Sequence, residues 1–236
     1  MLTVKNLCKN FGAIKAVQDI SFSLKKGETA VLLGENGAGK STLLRIISGY
    51  LEADAGDVLI NGTDLRQDKT AYLQKTGYVQ EISSLYGEMT VCEFLEFVAN
   101  IRKITPERIA EKIKTVLQQL ELENVLIQRL DTLSKGFKKR VELASVLLAE
   151  PEVLLLDEPT EGLDPLQKET IRKIIKNYAK EHIVIISTHA LEDTEALGGR
   201  ILLVHQGKLA ADESLRSFKK VAKNDLLASF KKVTEV

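Results

Sequence analysis

Residues 34–42 have the sequence GENGAGKST and directly follow the apolar run Ala30–Leu33. The stretch fits the pattern G-x-x-x-x-G-K-[ST], in which glycines let successive backbone N–H groups converge on phosphate oxygens. A helix that begins here adds the positive end of its dipole at the same place. A flexible glycine turn would account for the glycines, but not for Lys40 and Ser41 in register. The stretch therefore predicts a buried strand, a phosphate-binding loop and a helix, in a chain that binds a nucleoside triphosphate.

Two side chains of this loop have predicted chemical roles. Lys40 is expected to reach the β- and γ-phosphates, and the Ser41 hydroxyl is expected to bind the Mg²⁺ that accompanies ATP. The residues of the loop predicted to bind ATP are Gly34, Glu35, Asn36, Gly37, Ala38, Gly39, Lys40, Ser41 and Thr42.

A second group of polar residues follows the apolar run Leu154–Leu156. Asp157 at the end of this predicted strand is expected to hold Mg²⁺, and Glu158 to address the attacking water. An acidic pair after a strand also commonly interacts with the dipole of a following helix. The catalytic interpretation of this pair therefore depends on the presence of Lys40 in the same chain. His189 follows another predicted strand and is placed to touch the γ-phosphate, although a lone histidine is more often structural. Glu158, His189 and Lys40 are the candidate catalytic residues.

The N-terminal part of the chain has a strand pattern. Thr3–Leu7, Val17–Leu24 and Glu28–Leu33 are predicted strands, and the dipeptides Lys26-Gly27 and Asn61-Gly62 are typical turns between extended runs. These runs predict a small antiparallel layer on the N-terminal side.

The remainder of the chain is typical of an α/β protein. Val153–Leu156 and Ile183–Ile186 are continuous, apolar and rich in branched residues, as are strands buried on both faces of a parallel sheet. The predicted helix Leu166–Ala179 between them makes a βαβ crossover. Residues from about Val91 to Leu122 have helical periodicity, with Pro106 between two segments, which predicts a helical insertion around residues 85–150.

Composition limits the kinds of partner. The 236 residues include 33 basic and 33 acidic side chains, a formal net charge of +0, so no nucleic acid partner is expected. Cys8 and Cys92 match no metal-ligand spacing and are expected to be reduced thiols of a cytosolic chain. The apolar runs are far shorter than the ~20 residues that cross a bilayer, and the N-terminus has no secretory signal, so the chain is expected to be soluble by itself.

A third motif points to a family. Leu133–Phe137 has the sequence LSKGF and lies a short distance before the Asp157-Glu158 strand. The chain resembles the ATP-binding subunit of ATP-binding cassette (ABC) transporters, in which this signature is usually LSGGQ. The resemblance covers essentially the whole chain, to about Ala211. It implies an α/β P-loop NTPase fold with a RecA-like parallel-sheet core, an N-terminal antiparallel β layer and a helical signature subdomain.

The resemblance also implies roles for further residues. Ser134, Lys135 and Gly136 occupy the signature, whose serine and glycine contact the γ-phosphate of ATP bound to the partner subunit. Phe11 is similar to the aromatic residue that stacks on adenine. Asp164 matches the loop that couples the two sites of a dimer.

The chain departs from the family pattern in the signature and at Glu161, where many members have serine, and it leaves the coupling-loop residue ambiguous. Lys135 and Phe137 replace a glycine and a glutamine of the signature, which implies weakened or retuned hydrolysis. The family's glutamine, a ligand of magnesium and water at the transmembrane contact, usually lies four residues after a glycine that matches Gly77. That count gives Glu81 rather than Gln80. Both are candidates for the coupling loop, and Glu81 is the predicted metal ligand beside Ser41 and Asp157.

The expected domain organisation follows from the same resemblance. Residues 1–228 are expected to form the ABC transporter ATP-binding domain, with a core of 1–84 and 151–211 and a helical subdomain at about 85–150. Residues 212–236 are expected to form a short C-terminal helical tail.

The implied function is that of an ATP-hydrolysing subunit that powers a separate transmembrane permease. Two copies, or one copy and a second ATP-binding subunit, would close head to tail around two ATP molecules. The segment from Gly77 to Phe94 resembles the exporter branch with ABC-2 type permeases, which implies a peripheral location at the cytoplasmic face of the membrane. Two alternatives are a soluble ABC ATPase and an ATP-binding regulatory subunit with little turnover. The first generally fuses two cassettes or inserts a long coiled coil, and the second would release little phosphate.

Overall fold

The computed structural model describes residues 1–82 and 85–234. The strands are β1 Leu2–Phe11, β2 Ile14–Leu24, β3 Thr29–Leu33, β4 Ala55–Ile60, β5 Thr63–Asp64, β6 Thr76–Val79, β7 Val153–Asp157, β8 Ile183–Thr188, β9 Arg200–His205 and β10 Lys208–Ser214. The α-helices are α1 Lys40–Ile47, α2 Lys69–Gln74, α3 Val91–Ile101, α4 Pro106–Gln119, α5 Lys135–Leu147, α6 Pro165–Ala179, α7 Leu191–Leu197, α8 Leu215–Lys220 and α9 Leu226–Thr234. Within these ranges no helix has both the length and the apolar character needed to cross a membrane.

The N-terminal layer is an antiparallel sheet with strand order β2-β1-β4-β5. Strand β1 turns Leu2, Val4 and Leu7 inward, and all three side chains are almost fully buried. The pairing of β1 with β2 shifts register between Val4 and Leu7, because Asn6 takes a positive φ of 45° and interrupts the pleat. One face of this layer therefore packs on the core and the other faces solvent.

The central sheet has the order β10-β9-β3-β8-β7-β6. Its strands from β9 to β6 are parallel, and β10 is antiparallel to β9. The grouping of Glu28–Leu33 with the antiparallel layer was wrong, because β3 pairs in parallel with β8 and β9. The reason is burial on both faces: Ala30–Leu33 are almost completely inaccessible, as in a central parallel strand. The α/β fold class is otherwise confirmed.

The central sheet separates two hydrophobic cores. Along β7, Leu154 and Leu156 pack into a core shared with α3, α4, α5 and α6, whereas Val153 and Leu155 pack into a core shared with α1 and the antiparallel layer. Alternate residues of a strand point to opposite faces, which explains the division. Because β3, β7 and β8 are parallel, the loops that follow them lie together at the carboxyl end of the sheet.

The segment between β6 and β7 is helical, with 3₁₀ turns at Glu123–Val125 and Leu130–Thr132. Helix α3 begins with a capping box, in which the Thr90 side chain accepts from the Glu93 N–H and the Glu93 carboxylate accepts from the Thr90 N–H. Helix α4 has Pro106 as its first residue, where a missing N–H costs no helical hydrogen bond. The sequence signals thus place two separate helices where Pro106 interrupts the periodicity.

The C-terminal part packs onto the main core. Strand β10 extends to Ser214, so the expected boundary between 211 and 212 falls inside a strand. Phe218 of α8 is fully buried and Leu226 of α9 nearly so, both in the core that contains the helical segment. Residues 84 and 236, at which two expected segments end, lie outside the described residues.

Candidate functional site: a phosphate-binding cleft at the sheet edge

The glycine-rich loop connects β3 to α1 in a conformation that requires glycine. Gly39 precedes α1 with a φ of 109°, where a Cβ would also collide with the carbonyl oxygen of Ala16. A Cβ at Gly34 would collide with the carbonyl oxygen of Val204. The loop therefore lies directly against the backbone of neighbouring segments, and its own N–H groups are presented at the start of α1.

Lys40 is held by the loop that it belongs to. Its ammonium donates to the carbonyl oxygens of Gly34 at 2.7 Å and Glu35 at 2.9 Å. Burial lowers the pKa of Lys40, while the nearby carboxylates, first Glu158 and then Asp157, act in the opposite direction. A cation in this position can neutralise phosphate oxygens that approach the loop.

Asp157, at the end of β7, accepts hydrogen bonds from three hydroxyl groups. Ser41 donates to Oδ1 at 3.1 Å, Ser187 donates to the same oxygen, and Tyr78 donates to Oδ2 at 3.3 Å. Burial, followed by the charge of Asp157, raises the pKa of Tyr78, which keeps its phenol protonated as a donor. The carboxylate is almost completely buried, so these donors supply much of its local stabilisation.

The pair Ser41 and Asp157 fits a magnesium ion. Mg²⁺ prefers oxygen ligands and is usually bound through one or two carboxylates together with substrate phosphates and waters. A carboxylate and a hydroxyl that already lie 3.1 Å apart match that requirement. In residues 1–82 and 85–234 no group of three or more His, Cys, Asp or Glu side chains could hold a metal ion.

Glu158 and His189 form the second polar pair of the site. Nδ1 of His189 lies 2.8 Å from Oε1 of Glu158, and because an ionised carboxylate only accepts, Nδ1 is the donor. The backbone of Glu158 has a positive φ of 46°, and its N–H donates to the carbonyl oxygen of Ser187 at 3.2 Å. This uncommon conformation at the end of β7 directs consecutive residues, Asp157 and Glu158, to different partners.

One cleft of about 840 Å³ is lined by Lys40, Ser41, Glu158 and His189 among other residues. The residues that line it are Phe11, Ala13, Ile14, Lys15, Ala16, Gln18, Asn36, Gly37, Gly39, Lys40, Ser41, Thr42, Glu81, Glu158, Glu161, His189, Gln206 and Gly207. Its size is within the range of small-molecule sites.

Most of the residues predicted to act on one ATP meet in this cleft. Phe11 is at its rim with 49% of its surface exposed, 5.7 Å from the ammonium of Lys9. Of the two coupling-loop candidates, Glu81 lines the cleft and Gln80 does not. Gly34, Glu35, Ala38 and Asp157 are also absent from the lining, and Asp157 is joined to it through the hydrogen bond from Ser41.

The signature residues lie elsewhere on the chain. Ser134 caps α5, where its hydroxyl accepts from the Phe137 N–H at 3.4 Å. Gly136 faces the side chain of Gln167 on α6, and a side chain at Gly162 would collide with the ammonium of Lys135. None of the signature residues lines the cleft.

Asp164 begins α6 at the end of the predicted coupling loop. Its carboxylate accepts from the Gln167 N–H at 3.0 Å, which makes it the N-cap of this helix. The signature and the coupling loop of one chain are therefore neighbours, through Gly136 and Gln167.

Two residues of the site were missed by sequence reasoning. Ser187 and Tyr78 both donate to Asp157, and they lie on the strands that flank β7 on either side. The register pairs Asp157 with Ser187 directly. A polar residue at the end of a predicted buried strand was the available signal for Ser187, but its partner depends on strand order.

The fold and the cleft define the class of protein: a nucleoside triphosphate-binding α/β protein with a P-loop at the end of a central parallel strand. A model of the ABC transporter family matches residues 17–161. The chain belongs to the ABC transporter family, as an ATP-binding domain.

Two curated relatives are similar over most of this chain. The probable multidrug ABC transporter ATP-binding protein YbhF of Escherichia coli is 35% identical over 226 residues, which cover 95% of this chain and 39% of YbhF. The linearmycin resistance ATP-binding protein LnrL of Bacillus subtilis is 35% identical over 212 residues, which cover 89% of this chain and 68% of LnrL. The chain thus spans about two fifths of the first relative and two thirds of the second.

Two solved structures have the same fold. The structure of an ATP-binding subunit of an ABC transporter is 28% identical, with a TM-score of 0.89 and coverage of 99% of both chains. An ATP-binding cassette described as a dimer in a post-hydrolysis state, bound to ADP and Pi, is 27% identical with a TM-score of 0.81, covering 92% of this chain and 99% of that one.

Proposed function

We propose that this chain binds and hydrolyses ATP to power a separate transmembrane permease of an exporting ABC transporter. The observation that carries the proposal is the contact of Glu158 with His189 at 2.8 Å, in the same cleft as Lys40, Ser41 and the glycine-rich loop. The cleft thus combines N–H groups that can bind phosphate, a cation, oxygen ligands for a metal ion and a carboxylate base. These are the parts that phosphoryl transfer to water requires.

Nucleotide binding is assigned to the rim and the loop of the cleft. Phe11 stacks on the adenine, the N–H groups of the loop and the start of α1 hold the phosphates, and Lys40 neutralises the β- and γ-phosphates. Ser41 and Asp157 would hold Mg²⁺, with Glu81 as a further oxygen ligand, and the bound ion would supply positive charge against the phosphate oxygens.

Hydrolysis is assigned to Glu158 and His189. The Glu158 carboxylate accepts a proton from the attacking water, and His189 holds that carboxylate through Nδ1–H. A hydrogen bond from Nε2 to a phosphate oxygen requires the imidazolium form, in which both ring nitrogens donate. Because Ser187 fixes the backbone of Glu158, the base is positioned before the substrate arrives.

The signature requires a second chain. Ser134 and Gly136 lie outside the cleft of their own chain, which supports a head-to-tail dimer in which they contact the γ-phosphate bound by the partner. The partner is a second copy or a related ATP-binding subunit. The solved cassette described as a dimer is consistent with this arrangement.

Export and the membrane location rest on the relatives. One has multidrug in its name and the other linearmycin resistance, so we assign this chain to an exporter, bound through its permease at the cytoplasmic face of the membrane. The contact with the permease is assigned to the helical segment and to the turn from Gln80 to Tyr86, of which residues 83 and 84 lie outside the described residues.

Replacement of Glu158 by Gln tests the catalytic assignment. We expect ATP to bind with near wild-type affinity while steady-state phosphate release falls about 10²–10⁴-fold, the usual contribution of a general base. ATP should also trap the variant as a dimer in size-exclusion chromatography. Glu161→Gln is the matched control, because Glu161 lines the same cleft but makes no hydrogen bond to His189. Hydrolysis at the wild-type rate in the Glu158→Gln variant would sink the assigned role.

Purification from native membranes tests the partner. The tagged chain is extracted in mild detergent, and co-purifying proteins are identified by mass spectrometry. We expect a multispanning membrane protein at matching stoichiometry. Recovery only from the soluble fraction, alone or with ribosomes or DNA, would contradict the transporter assignment and favour a soluble ATPase.

A further inference from the structure

Lys139 joins the helix that follows the signature to the turn after β6. It lies on α5, and its ammonium donates to the carbonyl oxygen of Gln80 at 2.9 Å and approaches that of Glu81 at 3.4 Å. The Lys139 side chain is only 12% exposed. A buried lysine with acceptors in a distant segment is a structural tie between the two segments, since an unpaired ammonium would be costly there.

Glu142 completes the arrangement. It lies one turn further along α5, with its Oε2 3.4 Å from the ammonium of Lys139. Its side chain is 10% exposed, and Oε2 has no hydrogen-bond partner in the part of the chain that the structure describes. The ammonium is therefore the positive group that offsets this buried charge by an ion pair, while its hydrogen bonds go to the two carbonyl oxygens.

The turn held in this way carries a cleft residue. Glu81 lines the nucleotide cleft, and its charge acts on the Lys40 ammonium. We propose that Lys139 is a positioning residue, which fixes the Gln80-Glu81 turn against α5 and thereby places the Glu81 carboxylate at the nucleotide cleft.

The consequence of this placement is a link within one chain between two sites. Helix α5 begins at Ser134, which the proposed dimer turns toward the partner's nucleotide, whereas Glu81 faces the chain's own nucleotide. A movement of α5 is passed to Glu81 through Lys139. The inference rests on the proposed function in taking Glu81 to act on Mg²⁺ and the cleft to hold ATP.

Hydrogen exchange tests the positioning without any ligand. We expect Lys139→Met to speed amide exchange at the end of β6 about tenfold or more in the nucleotide-free and metal-free protein, because the bonds that hold the next two carbonyl groups are lost and the pairing of β6 with β7 opens more often. Lys138→Met is the matched control, since the neighbouring lysine donates to the carbonyl oxygen of Asp131 at 3.0 Å, within the helical segment. Equal exchange in the two variants would overturn the inference.

A Mg²⁺ titration of ATP binding tests the route through Glu81. Lys139→Met should raise the Mg²⁺ concentration at half-saturation about tenfold, leave ATP affinity in EDTA unchanged, and be rescued by Lys139→Arg, which keeps the charge. The double variant with Glu81→Gln should resemble Glu81→Gln alone, because the two residues act in series. Independent, additive effects would exclude that route.

Two further outcomes separate this inference from the proposed function. If Lys139→Met does not fold, Glu142→Gln replaces it, and we expect the same changes in exchange and in Mg²⁺ dependence, but smaller. If Glu158→Gln loses hydrolysis but Lys139→Met changes neither amide exchange nor Mg²⁺ dependence, the positioning role is rejected and the ATPase function is retained. Full hydrolysis in Glu158→Gln with altered exchange in Lys139→Met would reject the function alone.

Discussion

At the scale of single residues, the rim of the cleft depends on one exposed aromatic side chain. Phe11 ends β1 and has nearly half of its surface accessible, although its large apolar ring would be buried if packing alone decided its position. An exposed aromatic side chain at the edge of a cleft offers a flat face to a nucleobase. This position is consistent with the assigned stacking on adenine.

The Phe11→Ala variant should bind ATP about fivefold more weakly, since aromatic stacking contributes on the order of 1 kcal/mol. The turnover number should change little, because Phe11 takes no part in the contact of Glu158 with His189 that is assigned to hydrolysis. A titration with a fluorescent ATP analogue gives the affinity. Phe11→Tyr should retain it, whereas an unchanged affinity in Phe11→Ala would argue against stacking at this position.

The site residues that sequence could predict are those whose chemistry is contained in a local motif. Lys40 and Ser41 follow a glycine pattern, and Glu158 follows an apolar strand, so short-range spacing is enough to propose them. Ser187 and Lys139 could not be found in this way. Each contacts a segment that is remote in sequence, and those contacts exist only once strand order and helix docking are known.

At the scale of elements, the sequence predicted which segments are strands better than it predicted their partners. The apolar run of β3 was identified as a buried strand, yet it was grouped with its N-terminal neighbours in sequence. Its actual partners are β8 and β9, both more than 150 residues away. Apolar periodicity reports how many faces of a strand are buried, and it contains no information on which strand lies beside it.

Helix starts are a contrasting case, because their signals are local. Thr90 with Glu93 and Thr105 with Pro106 mark the beginnings of α3 and α4, and the structure has both helices there. Between β1 and β2 the register shifts were not predicted, since they follow from positive φ values at Asn6 and Asp19. Polar residues that tolerate this conformation also occur widely in loops.

At the scale of the whole molecule, the cleft of one chain holds only part of the proposed machinery. The P-loop, Asp157, Glu158 and His189 lie together, and the signature serine lies on another part of the surface. In the proposed dimer, a complete site takes the N–H and hydroxyl groups that bind phosphate from two chains. This makes a prediction that no single-chain ATPase would share.

Mixing two inactive variants should restore activity. Lys40→Ala removes the phosphate-binding cation from the chain's own cleft. Ser134→Ala removes the signature hydroxyl that the proposed dimer places at the partner's nucleotide. A dimer of one such chain with the other has one site with both defects and one site with neither. Phosphate release by the mixture should therefore exceed that of either variant alone.

The control for this experiment combines both substitutions in one chain. A mixture of the double variant with Lys40→Ala leaves no intact P-loop and should stay inactive. If the two single variants show no recovery at any mixing ratio, although size-exclusion chromatography detects dimers, the assignment of Ser134 to the partner's site is refuted.

The two cores on either side of the central sheet have a consequence for how this chain can diverge. Leu154 and Leu155 are adjacent in sequence but pack into different cores. A change of side-chain volume at Leu154 affects packing on the helical side, and one at Leu155 affects packing against the antiparallel layer. Compensating substitutions must then arise on the same side as the original change. The half that is assigned to the permease contact can thus adapt to a new membrane partner while the packing behind the nucleotide loop is inherited unaltered.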